Sequence, residues 1–221
     1  MSKTDFKTAR NSTHQFISDS NIENHMYYGP GDAYWAENPK ILMINMEAYG
    51  YDSLEVTKED LWDWVTDAGD TKTRTAKTTA AFAATFFRAI ESSLPATPGL
   101  LQQIRTDLQI LDQTLDRICY YNIKSTANDQ KDQDFSGIVE CGFNALSPFI
   151  KNEILALEAD FVFVSGEAGT TALAEMFNLQ LPNRGSAQIG KTKVYSLRHM
   201  SRSNYTEYCI AINDAASSLA P

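Results

Sequence analysis

The stretch KILMINMEAYGYD, residues 40–52, decides the fold. Its first seven residues are almost all apolar and show no polar/apolar alternation. A strand exposed on one face alternates, whereas a strand covered on both faces reads as a continuous apolar run. KILMINM (40–46) therefore predicts a strand in the middle of a sheet with helices on either side. The run then gives way to two acids, two tyrosines, an alanine and a glycine. In open parallel sheets, ligands bind just beyond the carboxyl ends of the strands.

Three later stretches repeat the pattern. RICYYNI (117–123), DFVFVSG (160–166) and KVYSLRH (193–199) are short apolar runs that lead into NIKSTAND, SGEAGTT and RHMSRSNY. Helical periodicities lie between them. TKEDLWDWVTDAG (57–69) opens with Thr57 three residues before Asp60, a spacing like that of a capping box. TAKTTAAFAATFFRAIESSL (75–94) is alanine-rich and stops before Pro95. PGLLQQIRTDLQILDQTL (98–115) repeats Leu or Ile every three or four residues. FSGIVECGFNALSPFIKNEILALEA (135–159) predicts two helical pieces bent near Pro148. AGTTALAEMF (168–177) and the tail from Ser203 complete the set. Strands alternating with helices predict one α/β domain with a mainly parallel four-stranded sheet and helices on both faces. Residues 1–37 are expected to form an N-terminal extension packed on a domain spanning 38–221.

Composition narrows the function. Apolar residues make up 43% of the 221, enough for a real core. No run is long enough to span a membrane, and the first residues lack the apolar region of a secretory signal. Cys119, Cys141 and Cys209 are odd in number and far apart, as are His14, His25 and His199. A disulfide framework or zinc site is not expected, and the cytoplasm is the expected location. The formal net charge of −9 argues against a broad nonspecific nucleic-acid surface. Yet residues 71–90 and 176–206 hold 9 of the 19 basic residues and none of the 28 acids. Those cations are either two ordinary solvated faces or a localised anion site.

The four strand exits, in their order, resemble the motifs of the uracil-DNA glycosylase superfamily, over roughly residues 38–210. The likeness is greatest to the branch whose first motif is GEAPG, matched here by Met46, Glu47, Ala48, Tyr49 and Gly50. YYNIKS supplies the asparagine and lysine of the second motif as Asn122 and Lys124. His199, Met200 and Ser201 stand where the family has His-Pro-Ser. Met46 replaces a glycine, and Tyr49 and Met200 replace prolines. Of the cysteines that hold the branch's iron–sulfur cluster only Cys141 has a counterpart, so no cofactor is expected.

The resemblance implies a three-layer α/β/α sandwich and hydrolysis of the N-glycosidic bond of uracil or another modified base in DNA. His199 would donate a hydrogen bond to the leaving base. Glu47, with Asp52 as competitor, would orient water and balance the cationic sugar. Asn122 would read the base edge, and Ala48 with Tyr49 or Tyr51 would line and stack on the base. Lys124, Ser201, Arg202 and Ser203 would hold DNA phosphates. Met200 is either an apolar wedge or a buried core residue. The expected partner is single- or double-stranded DNA carrying a modified base, bound by a monomer without membrane association. One alternative is a non-catalytic module of the same fold that binds nucleic acid or a nucleotide. Another is a hydrolase using Ser165 or Ser201 with His199, although no G-x-S-x-G elbow is present.

Overall fold

The computed structural model describes residues 3–20, 29–45, 58–66, 71–122, 144–200 and 204–219. The sheet is built from β1 (Ile41–Asn45), β2 (Cys119–Asn122), β3 (Phe161–Ser165), β4 (Ser186–Ile189) and β5 (Thr192–Leu197), in the order β2-β1-β3-β5-β4. The four strands read from the sequence are all present and mutually parallel. Every residue of β1 and β3 is buried, which accounts for their unbroken apolar sequence.

The expected strand count of four is corrected to five. β4 pairs antiparallel with β5 at the sheet edge. Its sequence, SAQI, alternates between exposed and half-buried positions, so it lacks the apolar run that marks the others. The two-residue Gly190–Lys191 loop between them has Gly190 at φ +59°, a conformation that favours glycine.

Eight α-helices lie among the described residues: α1 (Lys3–Asp19), α2 (Lys58–Thr66), α3 (Thr71–Ser92), α4 (Pro98–Ile104), α5 (Leu108–Arg117), α6 (Asn144–Ala156), α7 (Glu167–Phe177) and α8 (Tyr205–Ser217). They divide between the two faces of the sheet as side-chain alternation requires. Ile41, Met43, Phe161, Phe163, Tyr195 and Leu197 face α2, α3, α4, α5 and α8. Leu42, Ile44, Tyr121, Val162, Val164 and Val194 face α1, α6 and α7.

Two helical expectations change. The leucine-rich stretch 98–115 forms two helices, because the Asp107 side chain accepts the Ile110 N–H at 3.2 Å and starts a new one. Pro148 lies inside α6 rather than between two pieces. It occupies the fifth position of that helix, where its missing N–H costs only the bond to the Asn144 carbonyl. The Thr57 cap and the beginning of the 135–159 segment fall outside the described residues.

The direction of α3 matters for function. Phe86 packs on Phe161, the first residue of β3, at 5.3 Å, and Phe82 on Phe163 at 4.8 Å. Asn45, the last residue of β1, reaches Thr79. The helix therefore runs antiparallel to the strands, and its N-terminal half lies at their carboxyl ends.

α1 packs across α6 through a buried polar cluster. The Glu153 carboxylate is fully buried. It accepts from Arg10 Nε at 2.8 Å, from Tyr121 Oη at 3.0 Å and from the Thr13 hydroxyl. The Arg10 guanidinium also lies 5.0 Å from the Phe6 ring centroid. A buried acid with three donors is tolerable, whereas either ion alone is not. Glu153→Ala is expected to cost about 3–5 kcal/mol. The double variant Arg10→Met/Glu153→Leu should recover most of that loss. Urea unfolding followed by circular dichroism measures both.

Candidate functional site

Register fixes which residues share the carboxyl edge. Asn45 of β1 pairs with Asn122 of β2, and Ser165 of β3 with Leu197 of β5. The Ile44–Val164 pair brings the two halves into line. The carboxyl ends of all four parallel strands thus lie at one edge of the sheet.

His199 stands two residues beyond β5, half-buried, with its backbone secured on every side. The Arg198 N–H donates to Glu207 Oε1 at 3.2 Å. The Tyr208 hydroxyl donates to the His199 carbonyl at 2.9 Å. The Met200 N–H donates to Ser165 Oγ at 3.0 Å. Burial, with the Glu207 charge adding to it, pushes the Tyr208 phenol well above its ordinary range, so it remains a donor at any physiological pH. The imidazole lies beside Gly166, whose φ of +87° turns the chain from β3 into α7. A Cβ at Gly166 would sit 3.4 Å from His199 Cδ2, so the ring lies against the first turn of α7.

The segment that secures His199 is itself capped. The Asn204 side chain accepts the Glu207 N–H at 3.4 Å and donates to Glu207 Oε2 at 3.0 Å. This reciprocal bond starts α8 and aims the Glu207 carboxylate back at Arg198. Asn204 followed three residues later by Glu207 is a capping-box spacing present in the sequence. That signal, which sequence reasoning passed over, points to Glu207 and Tyr208 as supports of the histidine.

Several expectations resolve at this edge. Met200 is only 1% exposed and belongs to the core packed under α3 and α8, so it fills the interior and is not a projecting wedge. Ser165 is also 1% exposed, with its oxygen engaged by Met200, which fits a structural hydroxyl and not a nucleophile. Asn122 is placed by its backbone as the last residue of β2. Glu47, Ala48, Tyr49, Tyr51, Asp52, Lys124, Ser201, Arg202 and Ser203 lie outside the described residues.

The cations divide between the two ends of the sheet. Arg74 and Lys77 belong to the N-terminal half of α3, at the carboxyl edge. Arg105 joins them there, its Nε 3.3 Å from Thr78 Oγ1. Arg184 approaches Glu207 at 3.7 Å, and Arg198 adjoins His199. Arg88 lies beyond Phe86 toward the opposite end, and Lys193 pairs with Phe161 at the amino end of the strands. Only part of the positive charge therefore gathers around the histidine.

Asn45 was not singled out in the sequence. It is the one polar residue of β1 and is 2% exposed. Its Nδ2 is a long 3.5 Å from Thr79 Oγ1, and its Oδ1 has no hydrogen-bond partner. The amide also bonds the Tyr120 phenol, which partly offsets the rise in pKa that burial imposes on that group. A separate open groove of about 350 Å³ runs along α7, lined by Glu167, Thr171, Glu175, Asn178 and Asn183 among others. His199 does not line it, so it is not the expected base cavity.

No family model and no curated protein sequence matches the chain. No helix among the described residues is long and apolar enough to cross a membrane, and no cluster of potential metal ligands occurs among them.

Two predictions follow from the clamp and from burial. Tyr208→Phe and Ser165→Ala should each cost about 1–3 kcal/mol, because each leaves a buried partner unpaired; thermal unfolding measures this. Burial pushes the Cys209 thiol up to about 11, so it stays protonated near neutral pH. Since the thiolate is the reactive form, Cys209 should resist alkylation at pH 8 in the folded protein and react promptly in urea. Mass spectrometry of the modified peptide distinguishes the two states.

Proposed function

We propose that the chain is a DNA glycosylase that hydrolyses the N-glycosidic bond of uracil or another modified base. The observation that carries this reading is the placement of His199. It stands at the carboxyl edge of the parallel sheet, the backbone at and beside it fixed by Glu207, Tyr208 and Ser165, on the same edge as Asn122 and the exit of β1. The parallel order β2-β1-β3-β5 with helices on both faces supports a uracil-DNA glycosylase-like three-layer sandwich.

Breaking the C1′–N bond leaves positive charge on the sugar and negative charge on the base. His199 donates a hydrogen bond to the base oxygen as that charge grows. A fixed backbone spares the imidazole any reorganisation during the step. Glu47 orients a water toward C1′ and stabilises the cationic sugar; the water oxygen bonds C1′, and its proton balances the released base. Asn122 offers a donor and an acceptor to the edge of the extruded base. Ala48, with Tyr49 or Tyr51, forms the wall and stacking surface. Lys124, Ser201, Arg202 and Ser203 hold phosphates, helped by the N-terminal ends of α7 and α8 at the same edge. The partner is single- or double-stranded DNA bearing the modified base. The protein works as a monomer in the cytoplasm without a cofactor.

The test is incubation with oligonucleotides carrying uracil, hypoxanthine, xanthine or oxidised bases, followed by alkaline cleavage at abasic sites. Product from one or more of them is expected. Binding without product from any would instead favour a non-catalytic module. His199→Ala and Glu47→Gln should each lower the rate about 100-fold or more with little change in melting temperature. Arg202→Ala should weaken DNA binding and reduce its salt dependence while leaving single-turnover cleavage at saturation nearly unchanged.

A further inference from the structure

Buried polar atoms in folded proteins are almost always hydrogen-bonded, because an unmet acceptor loses its water and gains nothing. Asn45 Oδ1 breaks that rule. Leucine has the branched shape of asparagine, though a larger volume, and would suit the surrounding sequence, since the other four residues of β1 are Ile, Leu, Met and Ile. Packing alone therefore does not explain an amide here. Thr79, at the long limit of a hydrogen bond, and the Tyr120 phenol both engage the donor end of the amide, so neither accounts for the unmet Oδ1.

The position of Asn45 suggests a use. It is the last residue of β1, and its backbone pairs with Asn122, the residue proposed to read the base. It adjoins the strand that carries Ser165 and the Gly166 turn against which His199 rests. An acceptor with no competing water, at the edge where a planar ring is to be held, complements a ring N–H or exocyclic amine. We propose that Asn45 is a second base-reading residue, its Oδ1 accepting a hydrogen bond from an N–H of the bound nucleobase. The identity of the ligand as a nucleobase rests on the glycosylase reading; the open acceptor does not.

The experiment uses the full chain with free uracil, thymine, hypoxanthine and cytosine as probes. Base binding is measured by calorimetry and by the NMR shift of the Asn45 side-chain amide, and stability by thermal unfolding without ligand. In the wild type, at least one base is expected to bind and to move the Asn45 amide resonance. Asn45→Leu should remain folded, since removal of the unmet Oδ1 offsets part of the lost Tyr120 contact, and should bind that base about tenfold or more weakly. Thr79→Val should bind as the wild type does. An unmoved Asn45 resonance in the wild type at saturating base, or no binding by any of the four bases, overturns the proposal; so does unchanged affinity in Asn45→Leu. If that variant fails to fold, the amide plays a structural part, and the wild-type resonance alone decides the ligand contact. Base binding that depends on Asn45 without excision from any oligonucleotide would sink the glycosylase reading and leave the proposal standing. Excision with identical kinetics and base preference in wild type and Asn45→Leu would do the reverse.

Discussion

The burial of β1 and β3 on both faces is the constraint from which the rest follows. With helices packed on each side, neither strand offers a solvated face along its length, and each of the five residues in both is buried. Polar chemistry is thereby driven to the strand ends. Parallel pairing then places the carboxyl ends of four strands distant in the chain side by side on one edge. The same geometry orients the helices: α7 and α8 begin at that edge, and α3 runs down from it to the aromatic cluster of Phe82, Phe86, Phe161 and Phe163. Packing in the core thus determines which edge His199 and the N-termini of α7 and α8 share.

The hold on His199 shows how such an edge is made rigid. The three backbone contacts at and beside it come from two elements: Ser165 from β3, Tyr208 and Glu207 from α8. Met200, the next residue, is anchored in the core. A shift of α8 against the sheet therefore shifts the histidine. Tyr195, buried beneath, adds a further tie through its hydroxyl to Asp214 at 2.8 Å. Burial and the neighbouring carboxylate hold the Tyr195 phenol well above its ordinary range, so this donor also persists through neutral pH. In the role proposed for it, the imidazole gains from such preorganisation, because little of the structure moves during the reaction.

Legibility in the sequence followed the strength of the physical signal. β1, β2, β3 and β5 were readable because double burial leaves an apolar run, and their ends were right to within one or two residues. β4 was hidden because an edge strand needs no such run; only the Gly190–Lys191 turn marked it. The division between α4 and α5 lay in the single side chain of Asp107, easily lost within a leucine periodicity that continues on both sides. At the candidate site, His199 was visible through its position after a strand and through the resemblance of 199–201 to a glycosylase motif. Glu207 and Tyr208 were less so, since their role is to hold the histidine and depends on how α8 docks. Asn45 was invisible for a further reason: one polar residue at the end of an apolar strand acquires meaning only when its partners are counted.

That count separates two kinds of buried polarity in this molecule. Glu153 is charged and fully buried, yet Arg10, Thr13 and Tyr121 meet both carboxylate oxygens, and the cluster ties α1 to α6 and β2. Its burden is met within the protein, so its work is structural. Asn45 carries no charge and sits in a similar interior, but its oxygen is met by nothing. Folding gains nothing from that oxygen, because a buried acceptor without a donor loses its water and gains no bond. The two residues lie at opposite extremes of satisfaction within the same sheet, one beneath a helix and the other at the edge where the strands open. A cost left uncompensated at the edge, and compensated elsewhere, is what a site awaiting a hydrogen-bond donor would produce.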